Sequence, residues 1–409
     1  MKTRLHILVF LLSAWAVASC VYAFDPQIDG EGGYMIVSGN LVIGELSQVS
    51  LNYSWSLVDT NATDEDRMRA LYTSKMHVED SRGGRYENLA GGGSYWYYGY
   101  ASYGPYALFD LQQADPSLEY RLVIENDKGT YASTWAAPMP AGAIDSLSYR
   151  VNDEGTHLEI LVAAHGDRAE KCYYHWSVTE TWEYHAGVYS LFRFAQVGTY
   201  PDYSYDVVPY ENGENLYYCW TKGVRGEIMT ASTLDLKEDR LVDHLLYTIG
   251  KTDERISVLY RAEVQQTRIS EEAYRFWQTM EQNGSDVGGL FSPEPSDLRG
   301  NVANVDDPDE IVLGYVDVQT VLRDTLYIDN YVARFYKSAR APLPLPDTLN
   351  READYIEAYF HHNMLPGNDV YDENTGRFIG YEWWPSECID CRRRGGTKQR
   401  PAVWPNSHI

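Results

Sequence analysis

The stretch YRLVIENDKGTYASTW, at residues 120–135, decides the fold class of this chain. Its two halves, 120–125 and 130–135, are rich in β-branched and aromatic residues, which favour strands. Between them lies Asn-Asp-Lys-Gly at 126–129, a composition typical of a tight hairpin turn. The stretch therefore predicts two adjacent antiparallel strands.

More strand signals precede this hairpin. QVSLNYSW at 48–55 alternates apolar and polar residues, as a half-buried strand does. Further strands are predicted at 34–42, 75–79 and 106–111. Short strands with turns at this spacing predict an immunoglobulin-like β-sandwich at residues 34–137.

After a Pro-containing linker, residues 143–409 are predicted to form a larger β-rich domain with about two helices. Its strands are predicted at 158–163, 173–178, 216–220, 255–265 and 311–318. The first helix is predicted to start after Ser270 and to end near Gly284, with apolar residues at helical spacing: Ala273, Phe276, Trp277 and Met280. The second runs from a cap at Asn350 through Phe360. The fold class is mostly β, which the 35 Tyr and 11 Trp also favour.

The first residues have the layout of an export signal. A basic start at Lys2 and Arg4 leads into the apolar run 5–17, which is shorter than the ~20 residues that span a bilayer. Val17-Ala18-Ser19-Cys20 then resembles the lipobox of bacterial lipoproteins. We expect a signal peptide at 1–19, lipid on Cys20 and a tether at 20–33. The alternative is an ordinary signal peptide cleaved nearby, for example after Ala23.

The net charge excludes one class of partner. The chain carries a formal charge of −25, and loss of Lys2 and Arg4 with the signal peptide makes it −27. Such a surface repels phosphate backbones, so nucleic acid is not an expected partner. It also repels anionic headgroups, so the acyl chains must provide the membrane attachment.

The segment 91–106, GGGSYWYYGYASYGPY, has the strongest compositional bias in the chain. Aromatic residues alternate there with glycine and serine, as in binding loops that combine rigid anchors with pliable spacers. It supplies candidate contacts to a ligand or partner: Tyr95, Trp96, Tyr97, Tyr98 and Tyr100. The alternative is a loop whose rings only cover the end of the sandwich.

Besides Cys20, four cysteines remain in the mature chain, and they are candidates for disulfides: Cys172, Cys219, Cys388 and Cys391. A zinc site is not expected, because Cys388-Ile-Asp-Cys391 has no matching second pair. Thiols oxidise outside the cytoplasm, so a structural disulfide at Cys388 and Cys391 is favoured, and Cys172 and Cys219 are able to pair with each other. Four cysteines allow three connectivities, and the sequence does not choose among them.

A basic cluster follows the last cysteine. Arg392, Arg393 and Arg394 are candidates for binding a carboxylate or phosphate group. The alternative is that they pair with acidic neighbours of their own fold. The sequence has no G-x-S-x-G, H-E-x-x-H or P-loop pattern, so no catalytic residues, metal ligands or cofactor are predicted.

Several segments together resemble one family, the domain of unknown function 4249 family of bacterial lipoproteins. They are IVSGNLV (36–42), QVSL (48–51), IDSL (144–147), YYHWSVTETWEY (173–184), CW (219–220), VQQTRISEEAYRFWQTM (264–280), GGLFSPEPSDLRGNV (288–302), EIVLGYVDV (310–318) and CIDCRRRGGTKQRPAVWP (388–405). The resemblance implies an outer-membrane lipoprotein without a defining enzyme activity, often encoded beside a TonB-dependent transporter.

The expected function is therefore that of a non-enzymatic, ligand-binding accessory partner of such a transporter. Alternatives are a structural or assembly subunit of a cell-envelope complex and, third, a hydrolase with an unrecognised site. We expect display at the cell surface rather than at the periplasmic face. One departure bears on this expectation: CVYAFDPQ at 20–27 holds only Asp25 as an acidic residue, whereas surface-export signals tend to be acidic directly after the cysteine.

Overall fold

The structure, a computed structural model, describes residues 34–54, 74–89, 106–166, 171–285, 299–339 and 343–405. The strands of the first part of the chain are β1 (Met35–Gly39), β2 (Leu41–Val42), β3 (Leu46–Tyr53), β4 (Lys75–Asp80), β5 (Arg85–Glu87), β6 (Tyr106–Asp110), β7 (Tyr120–Asn126) and β8 (Gly129–Ser133). Those of the middle part are β9 (Ala143–Val151), β10 (His157–His165), β11 (Tyr173–His185), β12 (Phe192–Thr199), β13 (Asp202–Pro209), β14 (Tyr218–Val224), β15 (Met229–Ser232), β16 (Arg240–Gly250) and β17 (Leu259–Ile269).

The last part adds short strands and most of the helices. Its strands are β18 (Val302–Asn304), β19 (Val312–Leu313), β20 (Val318–Gln319), β21 (Leu322–Asp329), β22 (Asp347–Leu349), β23 (Met364–Tyr371) and β24 (Phe378–Pro385). The α-helices are α1 (Glu271–Ser285), α2 (Asn330–Ala333), α3 (Glu352–Phe360) and α4 (Ser386–Ile389), with 3₁₀ turns at Glu254–Ile256 and Cys391–Arg394. The chain is mostly β, as predicted.

The hairpin that the sequence predicts at 120–135 is confirmed. Strands β7 and β8 pair antiparallel, with Asn126 opposite Gly129. The Asn126 side-chain oxygen accepts hydrogen bonds from the backbone N–H groups of Lys128 and Gly129, at 2.9 and 3.2 Å. Gly129 has a φ of +150°, a conformation that glycine adopts without steric cost. The turn residues therefore set the register of the two strands.

Two sheets form a first sandwich around one apolar core. Their strand orders are β19-β1-β3-β6 and β18-β8-β7-β4-β5. The alternation read at 48–55 is present in β3, where Val49, Leu51 and Tyr53 are buried. The core unites residues of both sheets, such as Leu51 and Leu122.

The first sandwich is not made from residues 34–137 alone. Strands β18, β19 and β20 pair with β8, β1 and β2, and the last two pairs are parallel. Val302, Val312 and Val318 belong to its core. The run 311–318, which we predict as one strand, is two short strands, and Gly314 between them has a φ of +98°. A segment that lies between β17 and β21 in sequence thus completes the first sandwich.

The second sandwich is built from β16-β10-β9 and from β14-β11-β17-β21, with β15 also paired to β11. Its core includes Ile160, Trp176 and Val264. The strand predicted at 255–265 begins only at Leu259, because Glu254–Ile256 forms a 3₁₀ turn whose N-cap is Asp253. The cap of α1 is as predicted: Ser270 Oγ accepts from the Ala273 N–H at 3.1 Å. The cap predicted at Asn350 is wrong, since α3 begins at Glu352 and the Asn350 amide donates to the Ile379 carbonyl instead.

A third, smaller unit contains the hairpin β12–β13 and the sheet β22-β24-β23. Helix α3 covers it, and Val207, Tyr355 and Trp383 are buried together there. The Tyr355 and Trp383 rings are stacked with their centroids 5.5 Å apart. Within the described residues, no helix is long and apolar enough to cross a membrane.

Candidate functional site

A cavity of about 370 Å³ opens between the β12–β13 hairpin, the start of β23 and the segment 389–393. Its apolar lining comes from four different parts of the fold and includes Leu216, Tyr359, Met364, Leu365 and Ile389. Its charged and polar lining comprises Arg193, Tyr210, Asn363, Asp390, Arg392 and Arg393. The volume lies in the range of small-molecule sites, about 300–1,000 Å³.

The hairpin wall of the cavity is anchored at its base. The Ser190 hydroxyl, 2% exposed, lies 2.8 Å from the Pro366 carbonyl oxygen and accepts a hydrogen bond from the Phe192 N–H at 3.0 Å. The Tyr210 N–H donates to the Leu191 carbonyl at 2.8 Å. The Ser190 bond holds the start of the hairpin against β23, and the Tyr210 bond joins its two ends, so that Arg193 and Tyr210 line the same cavity as Arg392.

The second wall depends on a buried carboxylate. Asp390, 4% exposed, accepts hydrogen bonds from the Arg392 backbone N–H at 3.0 Å and from Arg392 Nε at 2.9 Å. The Nη2 atom of the same arginine lies 2.8 Å from the other carboxylate oxygen. Burial raises the pKa of Asp390, but the bonds from Arg392 outweigh it and hold that pKa below its usual range. The pair is a bidentate fork that shapes the turn.

A disulfide fastens this turn to the second sandwich. Cys391 is bonded to Cys219, 172 residues earlier in the chain, with the Cα atoms 5.7 Å apart. The Cys391 N–H also donates to the Leu216 carbonyl at 3.0 Å. The favoured Cys388–Cys391 disulfide is therefore wrong. Cys388 lies on α4 and packs instead in an apolar cluster with Val188 and Trp384.

The alternative Cys172–Cys219 pair is also wrong, because the two residues lie at opposite ends of β11. Cys219 faces Tyr184, near the C-terminal end of that strand, and Cys172 directly precedes its first residue. The Cys172 thiol is free and buried. Its sulfur lies 2.8 Å from Arg268 Nε and 3.5 Å from an Asp239 carboxylate oxygen. Burial raises the pKa of this thiol, so it stays protonated.

The three arginines predicted as ligand contacts have three different environments. Arg392 is paired with Asp390, as described. Arg394 is not part of the cavity lining. It donates to Glu254 Oε1 and to the His185 carbonyl, both at 2.5 Å. Arg393 lines the cavity, and its side chain has no hydrogen-bond or ion-pair partner within the described part of the chain. Arg392 and Arg394 thus pair within their own fold, which is the alternative stated for this cluster.

Arg193 is a candidate site residue that the sequence did not predict. Like Arg393, it lines the cavity without a side-chain partner in the described ranges. Tyr210, which also lines the cavity, has its pKa raised to about 12, first by burial and next by the charge of Asp390, so its phenol is neutral at physiological pH. One sequence pattern could have predicted this part of the site: aromatic residues alternate on either side of TYPDY at 199–203. It marks the hairpin that carries Arg193.

The remaining predicted site residues lie outside the described residues. These are Cys20 and the aromatic set Tyr95, Trp96, Tyr97, Tyr98 and Tyr100. In the part that the structure describes, no group of three or more His, Cys, Asp or Glu side chains is placed to hold a metal ion.

A second cavity, of about 330 Å³, lies beside the turn between β4 and β5. Its charged side chains already have partners in the first sandwich. Asp80 accepts from the Arg82 and Gly84 N–H groups at 2.9 and 2.8 Å, and Glu79 is paired with Arg121 at 2.7 Å. These contacts stabilise the turn, so the cavity near Arg193 is the stronger candidate.

Comparison with protein families gives a match over most of the chain. A family model described as Domain of unknown function (DUF4249) matches residues 21–325. That range includes the β12–β13 hairpin and Cys219, whereas Asp390 and the arginines after it follow the matched range. No curated protein matches the chain.

Proposed function

Because the chain belongs to the DUF4249 family, we propose that it is a lipid-anchored outer-membrane protein that binds a ligand as the accessory partner of a TonB-dependent transporter. The proposal has two parts, the anchor and the binding role. Each is supported by a different observation and fails in a different experiment.

The anchor is supported by the sequence. The apolar run at 5–17 ends at Val17, the first residue of Val17-Ala18-Ser19-Cys20, and Cys20 is the residue that a lipoprotein acylates. An acidic protein gains little from the electrostatic attraction that attaches basic proteins to anionic lipid. Acyl chains on Cys20 would supply the attachment in its place.

The binding role is carried by the cavity beside Arg193. Two guanidinium groups without partners in the described part of the protein line a cavity whose other wall is apolar. Arginines with a structural role are usually paired, as Arg392 and Arg394 are here. A concave, mainly apolar site with a few convergent polar groups is the usual form of a ligand site.

The partnership is tested by purification. A tag placed after Ile409 allows the lipoprotein to be isolated from membranes in mild detergent, and we expect a TonB-dependent transporter in near-stoichiometric amount. Recovery of the lipoprotein alone would contradict the partnership. Recovery of an insertion or secretion machine would favour an assembly subunit instead.

The aromatic segment provides a variant for the same experiment. We propose that Trp96, Tyr97 and Tyr98 contact the partner, because aromatic anchors often dominate interfaces and truncation of such an anchor costs about 2 kcal/mol or more. Replacing all three by alanine should weaken recovery of the transporter. Tyr331→Ala removes an 82% exposed tyrosine elsewhere and serves as the control.

A further inference from the structure

We propose that the cavity beside Arg193 binds a small organic anion, with a carboxylate or phosphate group between Arg193 and Arg393 and an apolar part against Leu365 and Tyr359. This inference rests on the proposed binding role and names the chemical class of ligand. It is independent of the transporter and of the membrane anchor.

The charge balance of the cavity favours an anion. Three guanidinium groups line it, those of Arg193, Arg392 and Arg393, against the single carboxylate of Asp390. That carboxylate is occupied by the fork of Arg392. The exposed Glu214 is near enough to act on the pKa of Tyr210 but is not part of the lining. The cavity thus keeps an excess of positive charge on a chain whose net charge is −25.

The donors suit an oxyanion. A guanidinium group presents N–H donors in a planar fork that matches carboxylate and phosphate oxygens. The Tyr210 phenol, neutral because its pKa is about 12, can donate to an anion as well. Asp390 positions Arg392, whose guanidinium group is the third that lines the cavity. The positive groups come from segments that the hairpin and the disulfide hold together.

The apolar wall restricts the ligand further. Leu216, Met364, Leu365 and Ile389 offer no charged group, and the Tyr359 ring packs against Phe194 at 4.7 Å between centroids. Inorganic phosphate would fill only the polar end of a cavity of about 370 Å³. We therefore expect an amphiphilic anion to bind more tightly than a purely inorganic one.

The test uses the full lipoprotein purified in mild detergent, with binding followed by calorimetry. The probes are 3-phenylpropionate, phenyl phosphate, inorganic phosphate and the neutral 3-phenylpropionamide. We expect one of the two aromatic anions to bind at least about tenfold more tightly than the amide and than inorganic phosphate. The order of the two aromatic anions decides between carboxylate and phosphate. The amide controls for partition of the phenyl group into detergent.

Variants locate the site. Arg193→Gln and Arg393→Gln should each weaken binding by about tenfold or more, because each removes a charged hydrogen-bond donor. Arg377→Gln removes an exposed arginine outside the cavity with the same change in net charge, and it should bind as the wild type does. Thermal unfolding of each variant verifies its fold.

Three results would overturn the assignment: no binding of either aromatic anion at about 10 mM, equal binding of the amide, or unchanged binding in both cavity variants. Failure here leaves co-purification of a transporter unaffected. Conversely, loss of the transporter partnership would not alter binding to the isolated protein. The two proposals therefore fail separately.

Discussion

The carboxylate of Glu183, fully buried, accepts a hydrogen bond from the indole N–H of Trp404 at 2.8 Å. This contact joins the end of the described chain to β11, in the centre of the second sandwich. Thr397 strengthens the attachment, because it exchanges two backbone hydrogen bonds with Trp220, at 2.8 and 2.9 Å. The residues after Cys391 are thus an integral part of the second sandwich.

Trp404→Phe should destabilise the protein. The phenyl ring preserves most of the packing, but the Glu183 oxygen loses its indole donor in a buried setting, which costs about 1–3 kcal/mol. Denaturant-induced unfolding measures the change. Val403→Ala, at a side chain 52% exposed, is the control and should stay within about 0.5 kcal/mol of the wild type. Equal stability of Trp404→Phe and wild type would show that the tail contributes little.

The disulfide predicts a specific thiol count. The mature protein should contain one disulfide, Cys219–Cys391, and two buried thiols, Cys172 and Cys388, that react with an alkylating reagent only after unfolding. Cys391→Ser should lower the free energy of unfolding by about 2–5 kcal/mol, since the bond closes a long loop. Cys388→Ser retains the bond and is the control. A disulfide between Cys388 and Cys391 in a peptide map would refute the pairing.

Cys20→Ser should release the protein from membranes. The substitution removes the sulfur that would carry the lipid of the proposed anchor, and the described part of the chain has no membrane-spanning helix. Fractionation after flotation measures the distribution. A variant that still floats with outer membranes, in cells without the transporter, would contradict the lipid anchor.

Asp317 should make stability depend on pH. Burial raises its pKa from 3.8 to about 7, and its Oδ2 atom has no hydrogen-bond partner in the described structure. Between about pH 4 and 7 the native state therefore keeps a proton that the unfolded chain has lost. The stability from this group is complete below about pH 4 and is lost as the pH rises to about 7.

Asp317→Asn removes this dependence while keeping an acceptor for the Val318 N–H. Relative to the wild type, the variant should gain on the order of a few kcal/mol between pH 4 and pH 8. Denaturation at several pH values gives the difference, in which all other titrating groups cancel. Asp153→Asn, on an exposed turn, is the control. A constant difference between Asp317→Asn and wild type would refute the raised pKa.

Features specified by neighbouring residues could be predicted from the sequence. The turn at Asn126–Gly129 and the cap at Ser270 depend on side chains a few residues apart, and both are confirmed. Pairings between distant segments could not be predicted in this way. Nothing near Val312 indicates that it pairs with Met35, and nothing near Cys391 indicates Cys219. Such contacts depend on how the sandwiches pack.

The candidate site shows the same limit. The sequence shows Arg392–Arg394 only as a run of charge, and the folded structure is needed to distinguish Arg393, which lines the cavity without a partner in the described part of the chain, from the paired Arg392 and Arg394. Arg193 lies alone in a stretch of aromatic and small residues and carries no motif. Its relevance follows from the hairpin lying against the disulfide-bonded turn.

The strands between residues 302 and 319 set the order in which the protein can mature. A chain synthesised from its N-terminus presents β1 and β8 early, yet their partners β19 and β18 emerge only after strands β9 to β17 of the second sandwich. Until then, both edges expose unpaired backbone groups, the usual starting point of aggregation. Closure of the first sandwich therefore waits for the strands from residue 302 onward, and a chain stalled before that residue would leave an intermediate with both edges unpaired.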